Sequence, residues 1–256
     1  MAKPYYIVEF SASACLFEIR VNDVPVMTLE IPGQASSMTP VNFAILNSGQ
    51  QTITAAVLPI PGTSILDENA KLRYELKLYD VNIGYKFKQS LMKFEFPAVD
   101  VQKKQTVQQK SDTFYAEVPY RLKGWANGRN LNEVKDVKDK LAKAYQRIAG
   151  YIRNKRYGEL KQALQNREII MTTSMYLDQP VGSRVDSMIR DFENGFELIP
   201  FPGDLSIRYY AGGKMAALRR LNGDHAICAQ NQEQEEEVLL DLAFYIPEGK
   251  DEFEVI

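Results

Sequence analysis

The sequence is poor in cysteine and histidine, the residues that most often hold transition metals. It has two cysteines, Cys15 and Cys228, and one histidine, His225. Each cysteine stands within an apolar strand pattern in a different half of the chain, which favours buried free thiols over a disulfide. A single histidine excludes a histidine-rich metal site and a relay of two histidines. We therefore predict no bound metal.

Signatures for phosphates and cofactors are also missing. The sequence contains no Walker loop, no Gly-x-Gly-x-x-Gly, no Gly-x-Ser-x-Gly elbow and no zinc-type cysteine spacing. The short run Gly212-Gly213-Lys214 is typical of a bend between strands rather than of a phosphate cradle. We predict no cofactor and assign no catalytic residue. His225 is interpreted as a turn or strand residue, because a catalytic role would need a partner that the sequence does not place.

A strong charge of one sign is lacking as well. Lys and Arg total 31 against 33 Asp and Glu, for a formal net charge of −2. Such a balance provides no long-range field for polyanions, so we expect neither nucleic acid nor a membrane as a partner.

No hydrophobic run approaches the length of a transmembrane helix. The first residues pass directly into a strand pattern, without the apolar stretch and small-residue cleavage site of a secretory signal. These features predict a cytoplasmic location.

Alternating strand patterns fill residues 5–97. A turn at Asn22-Asp23 predicts a hairpin, and the Pro32 to Ser37 and Pro59 to Ser64 clusters predict loops. The apolar phase of the 85–96 strand changes between Phe87 and Phe94, which indicates a bulge or a switch of sheet. Several short strands at turn-punctuated spacing predict a β-sandwich, generically similar to immunoglobulin-type domains, over residues 1–123.

The polar stretch 98–111 reads as a linker or as the approach to a returning strand from Phe114 to Tyr120. We place the domain boundary later, in the glycine-rich segment Gly124 to Gly128. Apolar residues then recur at helical spacing from Leu131 to Ile152, after a capping pattern formed by Asn130 and Glu133. Two further helices are predicted, one from Glu159 into the 169–176 region and one over residues 184–194.

The chain is predicted to close with three or four antiparallel strands. Residues 237–246 alternate as one long strand with an apolar face, and Asn222-Gly223 is the commonest type I′ hairpin pair, here between the 214–221 and 225–230 strands. A sheet with one apolar face needs a cover, and the helices of residues 131–194 supply it.

The order of three helices followed by a long sheet that ends in Leu239 to Lys250 resembles the cone-shaped nuclear-transport-factor and ketosteroid-isomerase superfamily. The resemblance covers residues 130–256 and is one of pattern, so it carries over no catalytic residue. It implies a cone-like α+β domain over 124–256 and a mixed fold for the whole chain. Members of that superfamily bind small molecules in the cone, catalyse isomerisation or dehydration, or use the sheet for protein contacts.

Seven residues are candidates for contact with a ligand or partner. Arg219 and Arg220 are adjacent on a strand, so one of them must face inward and needs a partner such as Asp186, Asp191 or Asp241. An ion pair that supports the fold is favoured over a ligand anchor. Tyr145 and Tyr176 would line a pocket where the helices meet the sheet, although such tyrosines are usually core. The acidic run Glu235, Glu236 and Glu237 reads as a solvated loop or as a docking patch for a basic partner.

These features favour a non-catalytic binding protein that acts through protein-protein contacts, in one concrete form a bacterial immunity or inhibitor-type protein. The alternative is a small-molecule-binding protein or a cofactor-independent isomerase or dehydratase with an aromatic pocket in the C-terminal domain. An enclosed cavity holding a carboxylate and a tyrosine within reach would favour the alternative, and a filled cone would favour the binder.

Overall fold

The structure, a computed structural model, describes residues 2–82, 84–201, 203–221 and 223–256. The fold is mixed, with mostly antiparallel sheets and three helices. The chain divides into two compact units. The first contains the chain up to Leu122 together with Ser174–Tyr176, and the second contains Lys123–Thr173 and Leu177–Ile256.

The first unit is built from six antiparallel strands. They are β1 (Pro4–Val21), β2 (Val24–Pro40), β3 (Gly49–Leu58), β4 (Lys71–Asp80), β5 (Lys86–Glu95) and β6 (Gln108–Ala116). Their order is β5-β4-β1-β3-β6, and β2 also pairs with β1. The N-terminal part of β1 pairs with β4 and its C-terminal part pairs with β3. β1 therefore connects the β4–β5 side of the sheet to the β3–β6 side. The turn at Asn22-Asp23 is confirmed, and both residues adopt positive φ.

A bulge in the β1–β2 hairpin keeps one face of β1 buried along its length. Ala14 adopts a φ of 47°, and the register shifts between Ser13 and Cys15, where Pro32 and Gly33 oppose a single residue. The shift changes the alternation, so Phe10 on one side of the bulge and Cys15 on the other are both buried. The predicted loop from Pro32 to Ser37 is wrong, because this segment continues β2 past the bulge.

The phase change in the 85–96 strand is a bulge, which is one of the two predicted alternatives. β5 shifts register against β4 twice, which leaves Lys88 and Leu91 without a directly opposed residue. The returning strand begins earlier than predicted: β6 starts at Gln108, within the stretch interpreted as linker or approach, and ends at Ala116.

The second unit contains α1 (Val137–Arg153), α2 (Tyr157–Ser174) and α3 (Ser183–Glu193). The first helix is shorter than predicted, because Leu131–Glu133 forms a separate 3-10 turn capped by Asn130. Asp136 adopts a φ of 54° immediately before α1, which breaks the helical path. The predicted buried stripe of α1 is confirmed from Leu141 to Ile152. None of the described helices combines the length and hydrophobicity needed to cross a bilayer.

The C-terminal strands form two small sheets instead of the single predicted one. The strands are β7 (Glu197–Leu198), β8 (Leu205–Tyr210), β9 (Met215–Arg220), β10 (Ile227–Asn231), β11 (Glu236–Leu240), β12 (Phe244–Tyr245) and β13 (Glu254–Val255). One sheet has the order β11-β10-β7 and the other β13-β12-β9-β8. The predicted 237–246 strand is therefore interrupted at residues 241–243, where the chain passes from one sheet to the other.

The hairpin predicted at Asn222-Gly223 is likewise reduced to a single bridge between Arg219 and His225, after which β9 and β10 enter different sheets. Asn222 itself lies outside the described residues. The full hairpin of this region is β8–β9, which turns through Ala211 to Lys214. Gly213 is required there, since its φ is 82° and a Cβ atom would lie 2.8 Å from the Asn132 side chain.

The core of the second unit joins both small sheets to the helices. Buried residues of the helices pack in one cluster with buried residues of the sheets, among them Leu141, Ile148, Leu218, Ile227 and Phe244. The apolar face predicted for residues 238–246 is buried from Leu240 onward, although the strand that carries it is broken.

Candidate functional site

A cavity of about 240 Å³ in the second unit is lined by several charged side chains. It lies between α2, α3 and the end of β11, where Leu240, Asp241 and Leu242 form part of its wall. The polar groups of the lining are Arg167, Glu168, Arg184, Ser187, Asp191 and Asp241.

Helix α2 brings a carboxylate into this wall at a core position. Leu160, Leu164 and Glu168 follow one another at intervals of four and share one face of the helix. All three are buried, and Glu168 is only 1% exposed. Its Oε1 atom accepts a hydrogen bond from Arg167 at 3.1 Å, while its Oε2 atom is buried without a partner.

Helix α3 contributes a guanidinium that lacks a counterion. The Nη1 atom of Arg184 is buried and has no hydrogen-bond partner, and within the described chain no carboxylate lies within ion-pair distance of Arg184. Burial lowers the pKa of the neighbouring Arg167, and the positive charge of Arg184 lowers it further. Two guanidinium groups therefore line the cavity. Arg167 is paired with Glu168, whereas Arg184 has no carboxylate partner in the described chain.

A second ion cluster shares Asp241 with the cavity. Asp241 Oδ1 lies 2.9 Å from the Nη2 atom of Arg219 and 3.1 Å from Nδ1 of His225, which also contacts the Arg219 guanidinium. The Asp241 side chain is 62% exposed, and its partial desolvation alone would raise its pKa, but the hydrogen bond from His225 and the charge of Arg219 hold the pKa well below its usual range. Asp241 is therefore ionised and committed to these two partners.

The structure places the two predicted arginines in different surroundings. Arg219 is paired with Asp241, one of its three predicted partners, and is 15% exposed. Arg220 donates from Nε to the carbonyl oxygen of His225 at 3.1 Å, and its Nη2 atom is buried without a partner. Only Arg219 is connected to the cavity, through Asp241.

The two predicted tyrosines do not share a site. Tyr145 is 1% exposed in the core of the second unit, where its hydroxyl donates to the Leu242 carbonyl oxygen at 2.6 Å and accepts from the Leu218 amide at 3.1 Å. Tyr176 belongs to the first unit, with its ring near those of Tyr5 and Tyr120. The expectation that their helix faces converge on one pocket is therefore corrected: each tyrosine packs within its own unit.

All three residues of the acidic run are exposed, and one of them also accepts a side-chain hydrogen bond. Glu235 lies in the turn before β11 with a φ of 54°, and Glu236 begins the strand; both side chains are exposed. Glu237 accepts a hydrogen bond from the Cys228 thiol at 2.6 Å. Burial and this carboxylate raise the pKa of Cys228 to about 12, and both cysteines are free and buried.

The sequence interpretation did not single out Arg167, Glu168 or Arg184. A usable signal was present for Glu168, because an acidic residue four positions after two leucines occupies the apolar stripe of α2. For Arg184 we find no comparable pattern, since its burial depends on how α3 lies against β11.

No family model, curated protein or solved structure matches this chain. Within the described residues, no group of three or more histidine, cysteine, aspartate or glutamate side chains is arranged to hold a metal ion. The cavity is lined by two guanidinium groups and by the carboxylates of Glu168, Asp191 and Asp241, and its buried Arg184 Nη1 and Glu168 Oε2 atoms lack partners, which suits recognition of a polar group.

Proposed function

We propose that the protein is a non-catalytic binding protein whose cavity receives an anionic group, such as a carboxylate, from a protein partner. The observation that carries this proposal is the buried Nη1 atom of Arg184, which has no partner beside a cavity already lined by Arg167.

The energetic reason is that an unpaired buried donor is costly. Leaving such a group unsatisfied costs about 1–3 kcal/mol, and more for a charged group, so its presence in a native protein needs an explanation. A carboxylate in the cavity would accept charge-assisted hydrogen bonds from Arg184, and Arg167 would contribute a second positive charge. Binding would then remove a penalty that the free protein carries.

The dimensions of the cavity favour a single group on a partner. Cavities that enclose drug-sized molecules and cofactors have volumes of about 300–1,000 Å³. The Arg184 cavity, at about 240 Å³, is smaller. This size suits an aspartate or glutamate side chain, as expected for an immunity-type or inhibitor-type protein that covers another protein.

The interior of the second unit supports a binder over an enzyme. Tyr145, Phe244 and Phe253 are almost completely buried among packed neighbours, and this filling is what we expected of a protein that acts by contact. The Tyr145 hydroxyl is occupied by two backbone groups, and His225 is held by Arg219 and Asp241. These groups support the fold rather than a reaction.

Within this proposal, the first unit is a sandwich formed by the bent β1–β2 hairpin, and the second is a cone-like domain similar to the nuclear-transport-factor superfamily. We propose a cytoplasmic protein whose partner is another protein rather than nucleic acid or a membrane, on the balanced charge of the sequence.

The test is affinity capture from the native cell with the wild type and two variants. Arg184→Met keeps the bulk of the side chain but removes the donor, and Arg153→Met makes the same change at an exposed position in α1. A partner held by the wild type and by Arg153→Met should bind Arg184→Met more weakly by about 1.5–3 kcal/mol, as expected for a charge-assisted hydrogen bond. Titration of the purified partner measures this difference.

The stability of Arg184→Met provides a second readout. Since the variant loses a buried donor that has no partner, its free energy of unfolding should equal or exceed that of the wild type. Weaker binding without loss of stability supports the proposal. Equal partner binding by both methionine variants, or a destabilised Arg184→Met, contradicts it.

A small-molecule ligand is the second candidate, favoured by the unpartnered Oε2 atom of Glu168 in the same cavity. A ligand with both a carboxylate and an ammonium group would satisfy Arg184 and Glu168 together. Calorimetric titration with glycine and with glutamate tests this alternative. Binding that is lost in Arg184→Met would favour the small-molecule function, and no heat of binding would favour the protein partner.

A further inference from the structure

Three strand edges of the first unit form no hydrogen-bonded pairing with a further strand in the described chain, and two of them are protected. The free edges belong to β2, β5 and β6. β2 carries proline at positions 25, 32 and 40, and β5 carries two register shifts and three lysines. Prolines, bulges and lysines are the devices by which edge strands avoid pairing with another chain.

The edge of β6 has none of these devices except one lysine. Its nine residues pair with β3 from Gly49↔Ala116 to Val57↔Gln108 without a register shift and contain no proline. Gln109, Ser111, Thr113 and Tyr115 form an exposed row along one face. An unshifted, exposed strand of this length is a template on which a further strand can pair.

The sequence of β6 complements itself in the antiparallel direction. When two copies are aligned with Ser111 opposite Ser111, Lys110 of each copy stands opposite Asp112 of the other. Opposite charges at directly opposed positions stabilise a strand pair. Within one chain the same two side chains already form a 3.0 Å ion pair, so both are positioned on one face of the strand.

The other face of the strand gives an independent match in the same alignment. Val107, just before β6, and Tyr115 are large apolar residues that are 46% and 64% exposed. With Ser111 at the centre, Val107 of each copy stands opposite Tyr115 of the other. Aromatic and β-branched residues are favourable cross-strand partners, and pairing would cover both exposed side chains.

We propose that β6 is a homodimerisation edge, on which a second copy of this chain adds its own β6 antiparallel and centred on Ser111. The pair is isologous, because the same residues contribute from both copies about a two-fold axis. The interface lies in the first unit and does not depend on the anion-binding role proposed for the second.

A charge exchange tests the alignment. Lys110→Asp places Asp opposite Asp, and Asp112→Lys places Lys opposite Lys, so each single variant should dissociate with a Kd about tenfold higher or more. The double variant Lys110→Asp/Asp112→Lys restores opposite charges and should dimerise like the wild type. An equimolar mixture of the two single variants should form a heterodimer for the same reason. Sedimentation velocity over a wide concentration range measures the two single variants, the double variant, the mixture and the wild type.

The outcomes are decisive in both directions. A wild-type protein that remains monomeric at the highest concentration overturns the proposal, as do single variants that dimerise like the wild type or a double variant that does not recover. Thermal unfolding of the dilute single variants shows whether the monomers fold. If the intrachain ion pair contributes to stability, the mixture still tests the alignment, because both of its chains lack that pair and only their heterodimer restores opposite charges between copies.

A cysteine cross-link tests the register separately. Directly opposed residues of an antiparallel pair have Cα atoms about 4.5–5.5 Å apart, within the range that a disulfide spans. Ser111→Cys should therefore form a covalent dimer under mild oxidation, since both native cysteines are buried. Thr113→Cys is the control, because its two copies would be offset by four residues, roughly 13 Å. Equal cross-linking of both variants, or none with Ser111→Cys, contradicts the register.

Discussion

At the scale of single residues, the second unit retains polar groups that its own packing does not satisfy. Arg184 Nη1, Glu168 Oε2 and Arg220 Nη2 are buried without hydrogen-bond partners. By contrast, the Arg219, His225 and Asp241 side chains satisfy one another beside the same cavity. Of the unsatisfied groups, only those of Arg184 and Glu168 line the cavity, and these are the two that we assign to binding.

The Asp241 cluster should be visible in the pH dependence of stability. A carboxylate whose folded-state pKa is lowered stabilises the fold above its unfolded-state pKa, about 4, and loses that contribution as the pH falls toward the folded-state value. Asp241→Asn should therefore lower the free energy of unfolding at neutral pH, and the difference from the wild type should shrink below about pH 4. The side chain is 62% exposed, so solvent screening should keep the effect near or below about 1 kcal/mol.

Urea unfolding of both proteins at a series of pH values measures this difference. Asp204→Asn, at an exposed position, is the control and should follow the wild type at every pH. A difference between Asp241→Asn and the wild type that grows as the pH is lowered would contradict the lowered pKa of Asp241.

At the scale of elements, irregularities decide where each strand and helix goes. The bulge at Ala14 preserves the buried face of β1, and the interruption at residues 241–243 sends the chain from one small sheet to the other. The bulge shifts the phase of the alternation in β1, whereas the apolar face of residues 238–246 keeps its phase across the interruption. The alternation in the sequence therefore predicts which side chains are buried more reliably than it predicts which strands are neighbours.

Helix α1 allows the predicted helical phase to be tested with two adjacent positions. Leu141 is fully buried and Lys140 is exposed. Leu141→Asp places an unpaired charge in the core and should cost several kcal/mol, whereas Lys140→Asp should change the free energy of unfolding by less than about 0.5 kcal/mol. Chemical denaturation of the two variants measures both values, and similar losses would show that the helix faces are misassigned.

At the scale of the whole molecule, the chain crosses between units more than once. Residues up to Leu122 form the first unit, but Ser174–Tyr176 also belongs to it, and the chain then returns to the second. No pattern around Tyr176 in the sequence indicated this return. The predicted domains, 1–123 and 124–256, assume that the chain passes only once from the first unit to the second, and they do not include Ser174–Tyr176 in the first.

Limited proteolysis should follow this organisation. Trypsin should first cut between residues 98 and 129, at exposed sites outside the strands such as Lys103, Lys104, Arg121 and Lys123. Lys110 lies in the same interval but within β6, and its backbone pairing with β3 should protect it. Mass spectrometry of the earliest fragments identifies the cuts. Early cleavage at Lys110, or first cuts within the helices, would contradict this assignment.

The sequence by itself determined the three helices, many of the strands and their buried faces, because alternation, helical spacing and turn residues are local properties. It placed the three helices, the Asn22-Asp23 turn, the bulge in the 85–96 strand and two free cysteines. Only the tertiary structure decided the division of the C-terminal strands between two sheets and the separation of Tyr145 from Tyr176. The cavity also depends on the tertiary structure, because its charged residues are distant along the chain: Arg167 and Glu168 on α2, Arg184 on α3 and Asp241 after β11. Which distant side chains meet depends on the packing of whole elements, and no local pattern encodes it.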